Sequence, residues 1–322
     1  MDNYTGIELE QPLISVVIAV YNGQDVVGQA ISSVLRQTHR NIEVVIVDDG
    51  STDNTSRVLE GYGALSRPGR EIRVLRQENG GRASARNKAL EAVSGDFITF
   101  VAADDTLLPH HLGTLLERYE DVATSESGSR TVVYANAFPC TTAGITTGRL
   151  RYREKMPCDR RQRSVILDHN FGSLYGLFPR YFFAEVGVFD PEQVPVEAWE
   201  LWLRAIYSGW RFNRVDQVTS IVSLTGTSMQ TQPDRVADGE ERALRKTLRR
   251  FGDKLSTEER AKVLRRLHDG SALAAASSAE QTLHDGRGEH AKKHLRRAAE
   301  MMPTQRRTRI RSAIAKLPGG AR

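Results

Sequence analysis

Hydrophobic residues in the first hundred positions fall into short dense runs, each closed by a polar cluster. Leu13–Val20 (LISVVIAV), Ile42–Val47 (IEVVIV), Ile72–Leu75 and Phe97–Val101 have the length and β-branched content of buried strands. The segments between them change period. Asp25–Gln37 sets Val26, Val27, Ala30, Ile31, Val34 and Leu35 on one helical stripe. Further helices are predicted around Thr55–Tyr62 and, after Gly80-Gly81, from about Ala83 to Val93. Strand and helix alternate four times with short connections, which predicts an α/β fold with a mostly parallel sheet flanked by helices. Tyr21-Asn22, Asp48 to Asp53 and Asp104-Asp105 each follow a strand end. Parallel strands carry such positions to one edge, where ligands of these sheets bind.

Beyond Pro109 the pattern loosens into a helix near His110–Tyr119 and a strand over Thr131–Ala135. Residues 139–165 are polar and basic and read as a loop over a site. An aromatic, glycine-containing stretch covers Phe171–Phe183, and Val196–Tyr207 is an amphipathic helix. From about Arg235 the pattern is helical at roughly 236–251, 256–268, 271–285, 288–301 and 304–316. The segment Gly288 to Pro303 looks like one helix of a tetratricopeptide-type repeat, and a single unit is weak evidence. The division expected is an α/β catalytic domain over residues 1–230 and a basic, all-helical region over 231–322.

Charge divides the chain the same way. From Arg235 onward there are 22 lysines and arginines against 11 acids, whereas the preceding part holds 23 against 29. The basic helices suit peripheral contact with an anionic membrane, association into a homo-oligomer, or simply the solvated face of a bundle; nucleic acid is not expected as a partner. No apolar run approaches the 18 residues that would cross a bilayer, and the acidic MDNYTGIELEQP opening does not read as a secretory signal. A cytoplasmic location, peripheral to the inner membrane face, is therefore expected. Cys140 and Cys158 lack metal-type spacing and are expected to be plain thiols.

A dinucleotide fold would need G-x-G-x-x-G after the first strand, where this chain reads YNGQDVVG, and no Walker A loop is present. What stands instead is carboxylate at the ends of the second and fourth strands. Adjacent acids after buried strands are costly unless something positive neutralises them, and Mn2+ or Mg2+ carrying a diphosphate would do so. Taken singly, Asp104-Asp105 reads equally well as the acidic start of the next helix, and Asp48-Asp49-Gly50-Ser51 as an acidic turn.

The joint pattern is more specific. PLISVVIAVYNGQDVVGQAISSVLRQTHRNIEVVIVDDGSTDNT, ENGGRASARNKALEAVSGDFITFVAADDTLLP and VEAWELWLRA, in that order across roughly residues 12–225, resemble inverting family 2 glycosyltransferases of the GT-A fold. The resemblance implies a nucleotide-sugar donor of UDP or dTDP type and an acceptor hydroxyl whose identity the sequence leaves open. It implies that Ala19 and Tyr21 line the base pocket and that Asp49, beside Asp48, accepts a hydrogen bond from the base. Arg82 would approach the base or diphosphate, with Arg86 and Asn87 supporting the loop. Asp104 and Asp105 fall on the metal motif, one touching ribose and one ligating metal.

Two positions depart from the family pattern. Ala102 stands where Asp-x-Asp-Asp begins, and Ala198 stands where a Glu-Asp pair supplies the general base. Glu197 and Glu200 are the remaining candidates for that base, although Glu200 could equally pair with Arg204 on the helix. The alternative expectation is a pseudo-glycosyltransferase that binds nucleotide or partner without transfer. A nucleotidyltransferase would need a glycine-rich, lysine-containing entry that is missing. His169, His110-His111 and the tryptophans Trp199, Trp202 and Trp210 read more readily as structural.

Overall fold

The computed structural model describes residues 11–124, 129–141, 150–224 and 233–268. Contacts divide the chain into Met1–Ser228 and Met229–Arg322. In the first unit, β1 (Ile14–Val20), β2 (Ile42–Asp48), β3 (Arg70–Arg76) and β4 (Phe97–Ala102) alternate with α1 (Val27–Leu35), α2 (Thr55–Gly63) and α3 (Gly81–Ala92). Next come β5 (Thr106–Leu107), α4 (His111–Ala123), β6 (Thr131–Thr141), α5 (Asp159–Ile166) and β7 (Gly176–Pro179). The unit ends with α6 (Tyr181–Val186), α7 (Glu197–Tyr207) and β8 (Arg211–Leu224). The sheet order is β3-β2-β1-β4-β7-β6-β8-β5. Strands β1 to β4 are parallel, and β6 and β8 pair in parallel; β7 and β5 run against their neighbours. The mostly parallel α/β architecture is the one the alternating pattern predicts.

The core follows from composition. Ile14, Val16 and Ile18 of β1 and Val44 and Ile46 of β2 are fully buried, packed with Val27, Ile31 and Val34 of α1. Both faces of the central strands are covered, so they read as continuous apolar runs rather than alternating ones. A second core is aromatic. Trp202 stacks on Phe178 with ring centroids 5.3 Å apart, and Phe182 meets Trp210 edge-on at 4.7 Å. All three tryptophans are buried, in line with their structural reading.

Two segments differ from expectation. The strand predicted over Thr131–Ala135 continues to Thr141, and the basic stretch contains α5, so residues 139–165 are not one loop. The long strand β8, which no strand-like run announced, pairs along all of β6. In the second unit, α8 (Pro233–Phe251) and a helix at 257–268 occupy the first two predicted helical segments. The segments 271–285, 288–301 and 304–316, with the repeat-like helix, lie outside the described residues.

Candidate active site

Strand register gathers the polar clusters. Ala19 of β1 lies opposite Val47 of β2 and Ala102 of β4, so the three strands end level. Tyr21, Asp48-Asp49 and Asp104 therefore leave the sheet along one rim. With strands about 4.8 Å apart, the exits of β2 and β4 are separated by roughly 10 Å. Tyr21 is exposed at 51%, a free ring beside the β1–α1 turn, where Asn22 adopts φ 50°. Asn22 Oδ1 accepts from Thr52 N at 2.8 Å and ties that turn to the β2 exit.

The two aspartates of the β2 exit do different work. Asp48 accepts from Ser51 N at 2.9 Å and from Ser56 Oγ at 2.6 Å. Burial pushes its carboxyl upward, but those bonds, with Arg76 nearby, outweigh burial and hold it below the usual range. Asp49 accepts from Gly80 N and Gly81 N, both at 2.9 Å, and from Gln77 Nε2 at 2.7 Å. A carboxylate here satisfies amides at the start of α3 that helix geometry leaves without partners. The turn needs glycine: Gly50 has φ 75°, and a Cβ there would lie 2.8 Å from Asn79 N. Gln77 follows the end of β3, so the rim rule that singled out the other positions also reaches this residue.

Asp104 and Asp105 are separated as sharply. Asp105 is buried; Tyr175 Oη donates to its Oδ2, and Ser223 N donates to its Oδ1 at 2.6 Å. Burial pushes its pKa up to about 6, those two bonds pull the other way, and Asp104 adds to the rise. Asp104 is partly exposed, and among the described residues its carboxylate accepts no hydrogen bond. No group of three or more His, Cys, Asp or Glu gathers as a metal cage among the described residues. Magnesium and manganese often use one or two carboxylates with substrate phosphates completing the shell, so Asp104 alone fits that mode, whereas Asp105 has both oxygens engaged. Nothing in the sequence pointed to Tyr175, which lies in the aromatic stretch, or to the amide of Ser223.

Helix α3 reaches across to the start of α7. Arg82 Nε and Arg86 Nη1 lie 2.6 and 2.9 Å from Glu197 Oε1, and Arg82 Nη2 donates to Pro195 O at 2.9 Å and to Glu197 Oε2 at 3.2 Å. Asn87 exchanges two hydrogen bonds with the backbone of Phe189, at 2.7 and 3.0 Å. Glu197 is thus buried between two guanidinium groups, of which Arg82 is the more open, its side chain 37% exposed against 13% for Arg86. Glu200, one turn on, has both oxygens within 3.0 Å of Arg204 Nε. Arg204 in turn donates to Val186 O and Val188 O at 2.6 and 2.7 Å. The structure therefore brings Glu197 to Arg82 and Arg86 and locks Glu200 into a buried brace, the pairing that the helix spacing had also allowed.

Known proteins resemble this chain in sequence and in fold. A glycosyltransferase of Rickettsia conorii, itself uncharacterised, is 30% identical over 197 residues, covering 60% of this chain and 31% of that protein. The glycosyltransferase GlyG of Streptococcus pneumoniae is 37% identical over 110 residues, covering 34% of this chain and 36% of its own length. The chain thus spans about a third of these relatives. Among solved structures, S. aureus TarS 1–349 in complex with UDP-GlcNAc superposes with TM-score 0.59 at 17% identity, covering 94% of this chain and 83% of that one. The mannosyltransferase PcManGT of Pyrobaculum calidifontis, in complex with GDP-Man and Mn2+, gives 0.57 at 16%, covering 96% and 82%. At such identities the likeness concerns the fold, which is that of GT-A glycosyltransferases. Residues 15–182, just over half of the sequence, match the family described as glycosyl transferase family 2, and the chain belongs to that family.

Proposed function

We propose that this protein transfers a sugar from a UDP- or dTDP-type donor to an acceptor hydroxyl, with inversion and with the help of Mn2+ or Mg2+. The observation that carries the proposal is the level ending of β1, β2 and β4, which puts Tyr21, Asp49 and Asp104 on one rim. Tyr21 offers an aromatic face to a pyrimidine, with Ala19 beneath the turn. Asp49 is fixed by α3 amides, and Asp48 holds the loop through Ser51 and Ser56. Asp104 is the open carboxylate, so it is the residue that would hold the cation. Asp105 secures the turn through Tyr175 and Ser223. Bound there, a divalent cation supplies Lewis-acid stabilisation of the leaving diphosphate.

Inversion needs a base on the acceptor side, and Ala198 cannot be one. Of the two nearby carboxylates, Glu200 is committed to Arg204. Glu197 is the better placed, and its arginines suggest how it becomes available. The donor diphosphate draws the more open Arg82 onto its oxygens, leaving Glu197 anchored by Arg86 with Oε2 free to accept the acceptor proton. A positioned base of this kind contributes about 10²–10⁴-fold. Turnover of labelled nucleotide sugars tests the reading: transfer or donor hydrolysis is expected in the wild type and a loss of at least 100-fold in Glu197→Gln. Tight UDP binding with no turnover of any donor in a UDP- and dTDP-sugar panel would instead support a nucleotide-binding pseudoenzyme. Ala102 and Ala198 favour that second reading.

The acceptor and any peripheral membrane or homo-oligomeric contact of the basic region are part of the same proposal. Their support is the charge asymmetry of the sequence.

A further inference from the structure

A cavity of about 790 Å³ opens beside the candidate site, between the segment after residue 150, α5 and Phe171. Its charged lining is mostly cationic. Arg151, Arg153, Lys155, Arg161 and Arg214 line it, against the acids Glu154 and Asp168. Arg214 is paired with Asp216 at 3.0 Å, but among the described residues the side chains of Arg153, Lys155 and Arg161 form no ion pair. Like charges gathered in excess of the acids beside them raise the energy of the folded chain, and a bound anion would relieve it.

The cavity is built rather than incidental. Asn136, buried on β6, donates to Tyr152 O at 2.8 Å and accepts from Tyr152 N at 3.1 Å, and Arg151 N donates to Ala137 O at 2.9 Å. These bonds fasten the cationic segment to the carboxyl half of β6. The Tyr152 ring holds two guanidinium groups, with Arg151 and Arg214 centred 5.8 and 5.9 Å from its centroid. Both β4 and β6 run against β7, so they point the same way and the cavity shares the rim of Asp104.

We infer that this cavity is the acceptor subsite and that it takes a polyanionic acceptor, a chain bearing phosphoryl or carboxylate groups, gripped by Arg153, Lys155 and Arg161. The assignment rests on the sugar-transfer reading only for the word acceptor; the anion preference follows from the cavity itself. Guanidinium forks suit both oxyanions.

Calorimetry on the full chain, in metal-free buffer with excess UDP occupying the rim, tests it with two probes: inorganic tripolyphosphate and an oligogalacturonate. The expected result is binding of at least one probe, weakened tenfold or more in R153E/K155E, with UDP affinity unchanged within twofold. The probe that binds identifies the anion as phosphoryl or carboxylate. Where the double variant loses thermal stability, R161S takes its place, with a weakening of at least threefold expected. Failure of both probes to bind at physiological salt, or equal affinity in wild type and variants, overturns the inference. A wild type that binds a polyanion but, in a parallel titration with manganese present, binds no UDP would instead defeat the sugar-transfer reading, so the two failures are distinguishable.

Discussion

Single carboxylates in this molecule take opposite roles one residue apart, and environment decides which. Asp104 faces out and is open, whereas Asp105 is buried under Tyr175 and Ser223 with its pKa pushed up to about 6. That shift fixes a sign. A carboxyl whose pKa rises on folding favours the native state at low pH and loses that contribution as pH climbs from the unfolded value near 4 through about 6. Thermal midpoints measured in EDTA should therefore fall for the wild type relative to Asp105→Asn between about pH 4 and pH 6, and parallel curves would refute the assignment. His111 has the reverse sign. Burial lowers its pKa to about 3, so stability present above the unfolded value near 6.5 drains away as pH falls towards 3. Replacing His111 by Phe should flatten that acid limb, although the hydroxyl of Thr219, 2.7 Å from Nδ1, then lacks its partner and lowers stability at neutral pH. Neither residue's role was legible in the sequence. Asp105 depends on a backbone amide 118 positions away, and His111 looked like an ordinary helix start.

At the scale of elements, the strand-end rule and the apolar runs made β1 to β4 and their rim readable, because local period and burial agree there. The connection between α3 and α7 was only half readable. The sequence suggested that Arg86 and Asn87 support a loop, and their bonds to Glu197 and Phe189 give that support a form. The length of β8 was hidden, since its burial is interrupted and its pairing with β6 is set by the tertiary fold. Two predictions belong here. Glu200→Ala leaves the Arg204 guanidinium buried without its charge partner, and denaturant unfolding should show a loss of about 3–5 kcal/mol. In the β2 exit, Gly50→Ala should cost more than Gly81→Ala, although both have positive φ. A Cβ at Gly81 meets nothing within 4 Å and carries only the left-handed strain of about 1–2 kcal/mol, whereas at Gly50 it also meets the Asn79 amide. Equal losses in the two variants would show that the loop around Asn79 yields.

Across the whole first unit, these local choices converge on a division of labour along the carboxyl rim. The β1 and β2 exits present an aromatic ring and a fixed carboxylate, the β4 exit presents one open carboxylate, and the β6 side presents cations. The family match and the fold of its solved neighbours concern the α/β scaffold that carries this rim. The central claim is that a nucleoside diphosphate spans this rim with Asp104 as the residue holding its cation. Calorimetric titration of UDP with and without manganese, on wild type, Asp104→Ala and Asp105→Asn, tests it most directly. The account predicts that manganese tightens UDP binding at least tenfold in the wild type, that Asp105→Asn keeps this gain, and that Asp104→Ala abolishes it. A manganese gain that survives in Asp104→Ala, or that is absent from the wild type, would contradict it.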